Sequence, residues 1–159
     1  DWHPEGHQSF AGNHSFKKPY ETIEMDYGTQ VLWPDHCLIG SKGAEFHPDL
    51  NTEQATAIIR KGFRPHIDSY SAFTENDKKT TTGLEAFLKS LGIDTIYLCG
   101  LATDFCVAWS ALDGRSAGFE TILIEDACRG INLEGSLEQA LNEMQGAGVT
   151  FIQSVELLN

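Results

Sequence analysis

Basic residues are scarce. The 159-residue chain carries 11 Lys and Arg against 23 Asp and Glu, a formal net charge of −12. A phosphate-backbone partner needs clustered Lys and Arg, so this balance argues against nucleic acid. Cysteine is sparse too. Four residues (Cys37, Cys99, Cys106 and Cys128), with no Cys-x-x-Cys pair, are too few for a disulfide scaffold and predict reduced thiols in a cytoplasmic protein. No run of eighteen apolar residues occurs, which predicts no membrane span. No basic-then-apolar leader opens the chain. Gly-x-Gly-x-x-Gly and Walker-type loops are also missing, which weighs against a nucleotide-binding module. The chain opens on Asp1 rather than Met, so the expectation is a processed start or a segment upstream.

What is present suits one globular domain spanning residues 1–159, large enough to bury about 68–70% of its unfolded surface. Residues 1 to about 49 hold four of the five prolines and five of the six histidines, with no helical period. This stretch reads as loop, and its aromatic residues argue against disorder. The rest alternates. Ala55–Lys61 is a short apolar run that reads as a buried strand. Thr82–Leu91 reads as a helix with a Thr82/Glu85 capping box; Leu84, Phe87, Leu88 and Leu91 share one face and Gly92 stops it. Thr95–Cys99 reads as a continuous apolar strand and Asp104 to about Ala117 as a helix. Glu120–Ile124 is a strand, Ser136 to about Ala147 a helix with a Ser136/Gln139 box, and Val149–Gln153 a last strand. Apolar strands separated by capped helices predict an α/β fold: a mostly parallel sheet with helices on both faces. Such sheets bind ligands beyond the carboxyl ends of their strands.

Three groups of residues could carry chemistry. Asp1 and His3 lie two apart, so an extended backbone turns both to one face, as ligands of a divalent metal must be. A third ligand is required, and His36 in Trp33-Pro34-Asp35-His36-Cys37 fits best, with His7, His14 and His47 in competition. Histidines of a surface loop are the plainer alternative. Cys106 leaves a strand and enters a helix in Gly100-Leu101-Ala102-Thr103-Asp104-Phe105-Cys106-Val107. A helix N-terminus favours the thiolate, and first-turn amides could hold an oxyanion. A small buried thiol is the competing reading. Lys61, at the expected strand end, could steady an anion or a neighbouring thiolate, or simply cap the strand. Trp33, Tyr70 and Phe73 could stack on a flat ring or merely pack.

In combination these segments are more specific than any one alone. Asp1-Trp2-His3-Pro4-x-x-His7-x-Ser9-Phe10, Trp33-Pro34-x-His36-Cys37, Lys61-Gly62 with Asp68-Ser69-Tyr70-Ser71-Ala72-Phe73, and Gly100 through Val107 follow in this order. The set resembles the bacterial nicotinamidases (pyrazinamidases), members of the isochorismatase-like cysteine hydrolases, along the whole chain. The resemblance implies hydrolysis of nicotinamide to nicotinate and ammonia in NAD salvage, through a thioester. It implies Cys106 as nucleophile, Lys61 as its charged neighbour, and Asp1, His3 and His36 around one divalent ion (zinc, iron or manganese) that binds the pyridine nitrogen. Trp33 and Tyr70 would line the substrate. The amides of Ala102 and Cys106 would form the oxyanion hole, beside a cis Leu101–Ala102 bond. His7 joins the metal in one branch of the family and is not counted here.

The resemblance also implies an aspartate upstream of Asp1 as third catalytic member. The N-terminal strands and first helix would then lie outside this sequence, or on a separate chain segment that completes the fold. A homo-oligomer is compatible with the pattern. The alternatives are a related amidase acting on a carbamoyl or small amide, and a non-catalytic metal-binding fragment.

Overall fold

The computed structural model describes residues 1–158, and the chain divides into two units. The first comprises Asp1–Ser69 with Glu75–Lys79, the second Tyr70–Thr74 with Thr80–Asn159.

The first unit is irregular, as expected, with one exception. Strands β1 (Thr22–Met25) and β2 (Gly28–Val31) form an antiparallel hairpin, from Thr22 opposite Val31 to Met25 opposite Gly28. At four residues each and half polar, these strands are too short to stand out by alternation alone. Elsewhere the backbone makes short 3₁₀ turns at Ala11–Asn13 and Lys42–Ala44 and isolated bridges pairing His3 with Leu38 and Phe10 with Trp33. Phe10 and Leu32 are fully buried, together with a polar interior of His3, His7, Ser9, Gln30 and Asp68.

Ala55–Lys61 is not a strand. No ladder forms there, and Ile58 and Ile59 are 52% and 39% exposed. A short apolar run carries no periodicity that separates a buried strand from an irregular segment.

The second unit is α/β. Helix α1 (Leu84–Ser90) precedes β3 (Thr95–Leu101). A π-helical turn (Thr103–Val107) and α2 (Ala108–Ser116) lead to β4 (Glu120–Arg129), and α3 (Ser136–Gly146) leads to β5 (Thr150–Ile152). The sheet is parallel, in the order β3-β4-β5. Parallel neighbours need a crossover, and the helices supply both. Ala108, Ala111, Ala140 and Met144 of the helices pack with Leu123, Cys128 and Val149. Leu84 and Leu88 of α1 pack on Phe73, Ile96 and Phe119. Leu91, expected on the same stripe, lies past the helix end and is exposed.

Two local expectations are corrected. Strand β3 is not buried throughout: Ile96 and Leu98 face the helices, while Tyr97, Cys99 and Leu101 alternate outward. Neither capping box forms, because a glycine occupies each N-cap (Gly83, Gly135). The Thr82 hydroxyl accepts the Leu84 N–H and donates to the Ala72 carbonyl, and Glu85 pairs with Lys89 at 2.6 Å. Ser136 spends its hydroxyl on Asp104, and Gln139 donates to Glu143.

Candidate functional site

In the first unit, residues 1–3 run extended beside residues 37–39. His3 N–H donates to the Cys37 carbonyl (3.0 Å), Ile39 N–H to the His3 carbonyl (2.9 Å), and Trp2 N–H to the Lys61 carbonyl (2.9 Å). Alternation turns Trp2 one way, where the Arg60 guanidinium lies 5.6 Å from its ring centroid and 5.1 Å from that of Phe46. Asp1 and His3 turn the other way. His36 reaches them from a loop anchored at Trp33, whose N–H donates to the Ser9 carbonyl (2.7 Å). Donor atoms of Asp1, His3 and His36 then lie within 4.8 Å of one another. The buried Phe10 ring packs 5.4 Å from the centroids of both imidazoles.

Hydrogen bonding sets the tautomers. His3 Nδ1 lies 2.7 Å from the Gly62 carbonyl and His36 Nδ1 2.9 Å from the Pro34 carbonyl. A carbonyl only accepts, so each Nδ1 carries a proton, which leaves Nε2 as the ring atom turned toward an ion. Burial, then His7 and His36, push the His3 pKa down to about 3, so the ring is neutral at neutral pH. That is the form that coordinates a metal. Gly62 makes the carbonyl contact possible: at φ +72° it presses so close that a Cβ would sit 2.3 Å from His3 Cε1.

A second buried group, His3, His7 and Asp68, also brings donor atoms within 4.8 Å. Here the tautomer disfavours a metal. His7 Nδ1 accepts the Ser9 N–H (3.2 Å) with the Ser9 hydroxyl at 2.8 Å, so Nε2 carries the proton. Among the described residues that buried Nε2 has no hydrogen-bond partner. His3 has one lone pair to give and His7 none. One carboxylate and two imidazoles, from Asp1, His3 and His36, match a divalent ion that keeps further positions open.

Lys61 stands beside this group. Its ammonium pairs with the Asp1 carboxylate and donates to the Ser69 carbonyl. Trp33 is buried, with Tyr20 edge-on at 6.1 Å.

In the second unit, the end of β3 holds Gly100 at φ +122°, a conformation closed to other residues, and the Leu101–Ala102 peptide that follows the strand is cis. The Phe105 and Val107 amides both donate to the Ala102 carbonyl (3.1 and 3.0 Å), so the helix opens as a wide π turn rather than an α turn. Cys106 sits in that turn, half-buried, and its carbonyl accepts the Ser110 hydroxyl at 2.6 Å. Tyr70 is buried edge-on to Phe105 and Trp109.

Asp104 pins this turn from behind. Its carboxylate accepts the Ile131 and Asn132 amides (2.9 and 2.7 Å) and the Ser136 hydroxyl (2.5 Å). Burial raises its pKa, but these hydrogen bonds outweigh burial and hold it below the ordinary carboxylate range. Sequence reasoning missed the roles of Asp104, Ser9 and Gly62. Only the adjacency of Asp104 to Cys106 and of Gly62 to Lys61 pointed to them.

One unit is parallel α/β with a cysteine at a strand-to-helix turn, and the other holds an Asp/His/His group. The isochorismatase domain matches residues 15–156, and the chain belongs to the isochorismatase family. Within that family it is similar to nicotinamidases. A nicotinamidase of Acinetobacter baylyi is 54% identical over 158 residues, which cover 99% of this chain and 74% of the relative. A nicotinamidase and pyrazinamidase structure from Acinetobacter baumanii is 64% identical with TM-score 0.97, covering 99% of this chain and 76% of that one. A pyrazinamidase of Pyrococcus horikoshii in complex with zinc is 35% identical with TM-score 0.73, covering 96% and 72%.

Proposed function

We propose that this chain hydrolyses nicotinamide to nicotinate and ammonia, and accepts pyrazinamide. The observation that carries the reading is the Asp1/His3/His36 group, with both Nδ1 atoms tied to carbonyls and both Nε2 atoms left to face an ion. A general amidase of the family has no need of such a group. A divalent ion held there would act as a Lewis acid toward a ring nitrogen; the zinc complex of the Pyrococcus relative supports this, and iron and manganese suit the same donors.

The chain's own residues supply the rest. The Cys106 thiolate forms a C–S bond to the amide carbon as the carbonyl π electrons move to oxygen. The amides of Ala102 and Cys106 hold that oxyanion. Collapse of the tetrahedral species breaks the C–N bond, and the nitrogen leaves as ammonia with the proton that the Cys106 thiol gave up to the triad's acid. Water then cleaves the thioester, releasing nicotinate and restoring the thiol. Lys61 steadies the negative charge, with the upstream aspartate of the resemblance as third member. Trp33 and Tyr70 line the pyridine ring. Both units form a single hydrolase domain in this reading, working in the cytoplasm; none of the four cysteines is in a disulfide, and among the described residues no helix is long and apolar enough to cross a membrane.

The test is ammonia release from nicotinamide by the full-length protein. Cys106→Ala should lose at least about a thousandfold in kcat while still binding nicotinamide in calorimetry. Chelation should abolish turnover and added zinc restore it. Turnover that survives either treatment refutes the reading.

A further inference from the structure

The reaction as written has no use for Asp68, yet this acid is 3% exposed and lies one residue before the carbonyl that holds Lys61. A buried carboxylate is costly unless hydrogen-bonded, and here every side is met. Its Oδ1 accepts the Ser69 N–H and its Oδ2 accepts Gln30 Nε2, both at 2.8 Å. Its backbone N–H donates to the Tyr27 hydroxyl (3.3 Å), and its carbonyl accepts the Asn76 N–H (2.8 Å). Gln30 is 1% exposed and fixed in turn. Gln30 Oε1 accepts Asn76 Nδ2 (3.2 Å) and the Tyr27 hydroxyl (3.1 Å), and Nε2 also donates to the Val31 carbonyl (2.7 Å). Gln30 therefore cannot flip its amide without breaking all of these. The peptide joining Asp68 to Ser69 is clamped at both ends by a saturated buried network, which resists small displacements.

We propose that Asp68 is a positioning residue for Lys61. Through the Ser69 N–H it sets the Ser69 carbonyl, and that carbonyl sets the ammonium beside Asp1. The requirement is for an acceptor on both oxygens. An asparagine would turn an NH2 group toward either Gln30 Nε2 or the Ser69 N–H, donor against donor, and the clamp would shift. This inference rests on the assignment of Lys61 made above.

A double-mutant cycle in the full-length protein tests it, with kcat, KM for nicotinamide, bound metal and thermal midpoint read for each variant. Asp68→Asn should lower kcat about tenfold or more, the scale of a small misplacement of a catalytic group, with KM and metal content within about twofold of wild type. In a Lys61→Ala background the same change should alter kcat less than about twofold, because the group it positions is gone. A structural role would multiply through both backgrounds, and that result, or loss of metal in Asp68→Asn, overturns the proposal. Gln30→Met keeps Asp68 but removes its partner; it carries the same cycle should Asp68→Asn fail to fold. Wild-type kcat in Lys61→Ala would instead refute the assignment of Lys61, a distinguishable failure.

Discussion

Gly62 offers the sharpest handle on the ion site, because one methyl group tests it. At φ +72° an alanine pays about 1–2 kcal/mol for the left-handed backbone. Its Cβ would lie 2.3 Å from His3 Cε1 and 2.7 Å from Nδ1. Carbon contacts settle near 3.5 Å, so the ring must withdraw by roughly 1 Å. That movement breaks the Nδ1–Gly62 bond, which selects the tautomer and aims the lone pair. Loss of such a supporting bond weakens metal binding by about 10–100-fold, or about 1.4–2.7 kcal/mol. Gly62→Ala should therefore bind zinc at least about tenfold more weakly, in competition against a chromophoric chelator, with a modest drop in thermal midpoint. A variant that holds zinc within about twofold of wild type would refute the argument that the Gly62 carbonyl orients His3.

His36→Ala should lower the metal found by elemental analysis after dialysis, and full occupancy would remove His36 from the ligand set. Asp104, whose folded pKa lies below the ordinary value, stabilises the fold above about pH 4, and that contribution is lost as pH falls through the folded value. Asp104→Asn should thus melt lower at pH 7 and show a flatter loss of thermal midpoint toward pH 3; parallel curves for the two proteins would contradict this. Met144, fully buried between α3 and the sheet, should cost about 2–5 kcal/mol on truncation to alanine, read by urea unfolding.

The features legible in the sequence were those written in short-range spacing. The two-residue period of Asp1 and His3, the Gly100-to-Cys106 strand-to-helix turn and the glycines that end α1 and α3 all depend on neighbours. What escaped depends on distant partners. Asp68 meets Gln30 across 38 residues, and Asp104 meets Ser136 across 32. No local pattern encodes such pairings. Ala55–Lys61 failed for the opposite reason: its composition suits a strand, but a strand exists only where another backbone completes its hydrogen bonds.

The pleat of the first three residues makes chain length, more than chemistry, the quantity this corner cannot vary. Trp2 leans on Arg60, so exchanging the indole for another aromatic leaves the stack and both flanking donors in place. Adding or deleting a single residue there would swing an imidazole out toward the guanidinium and carry the indole inward. Point substitutions at position 2 should be forgiven, whereas frame-preserving insertions of one amino acid should not.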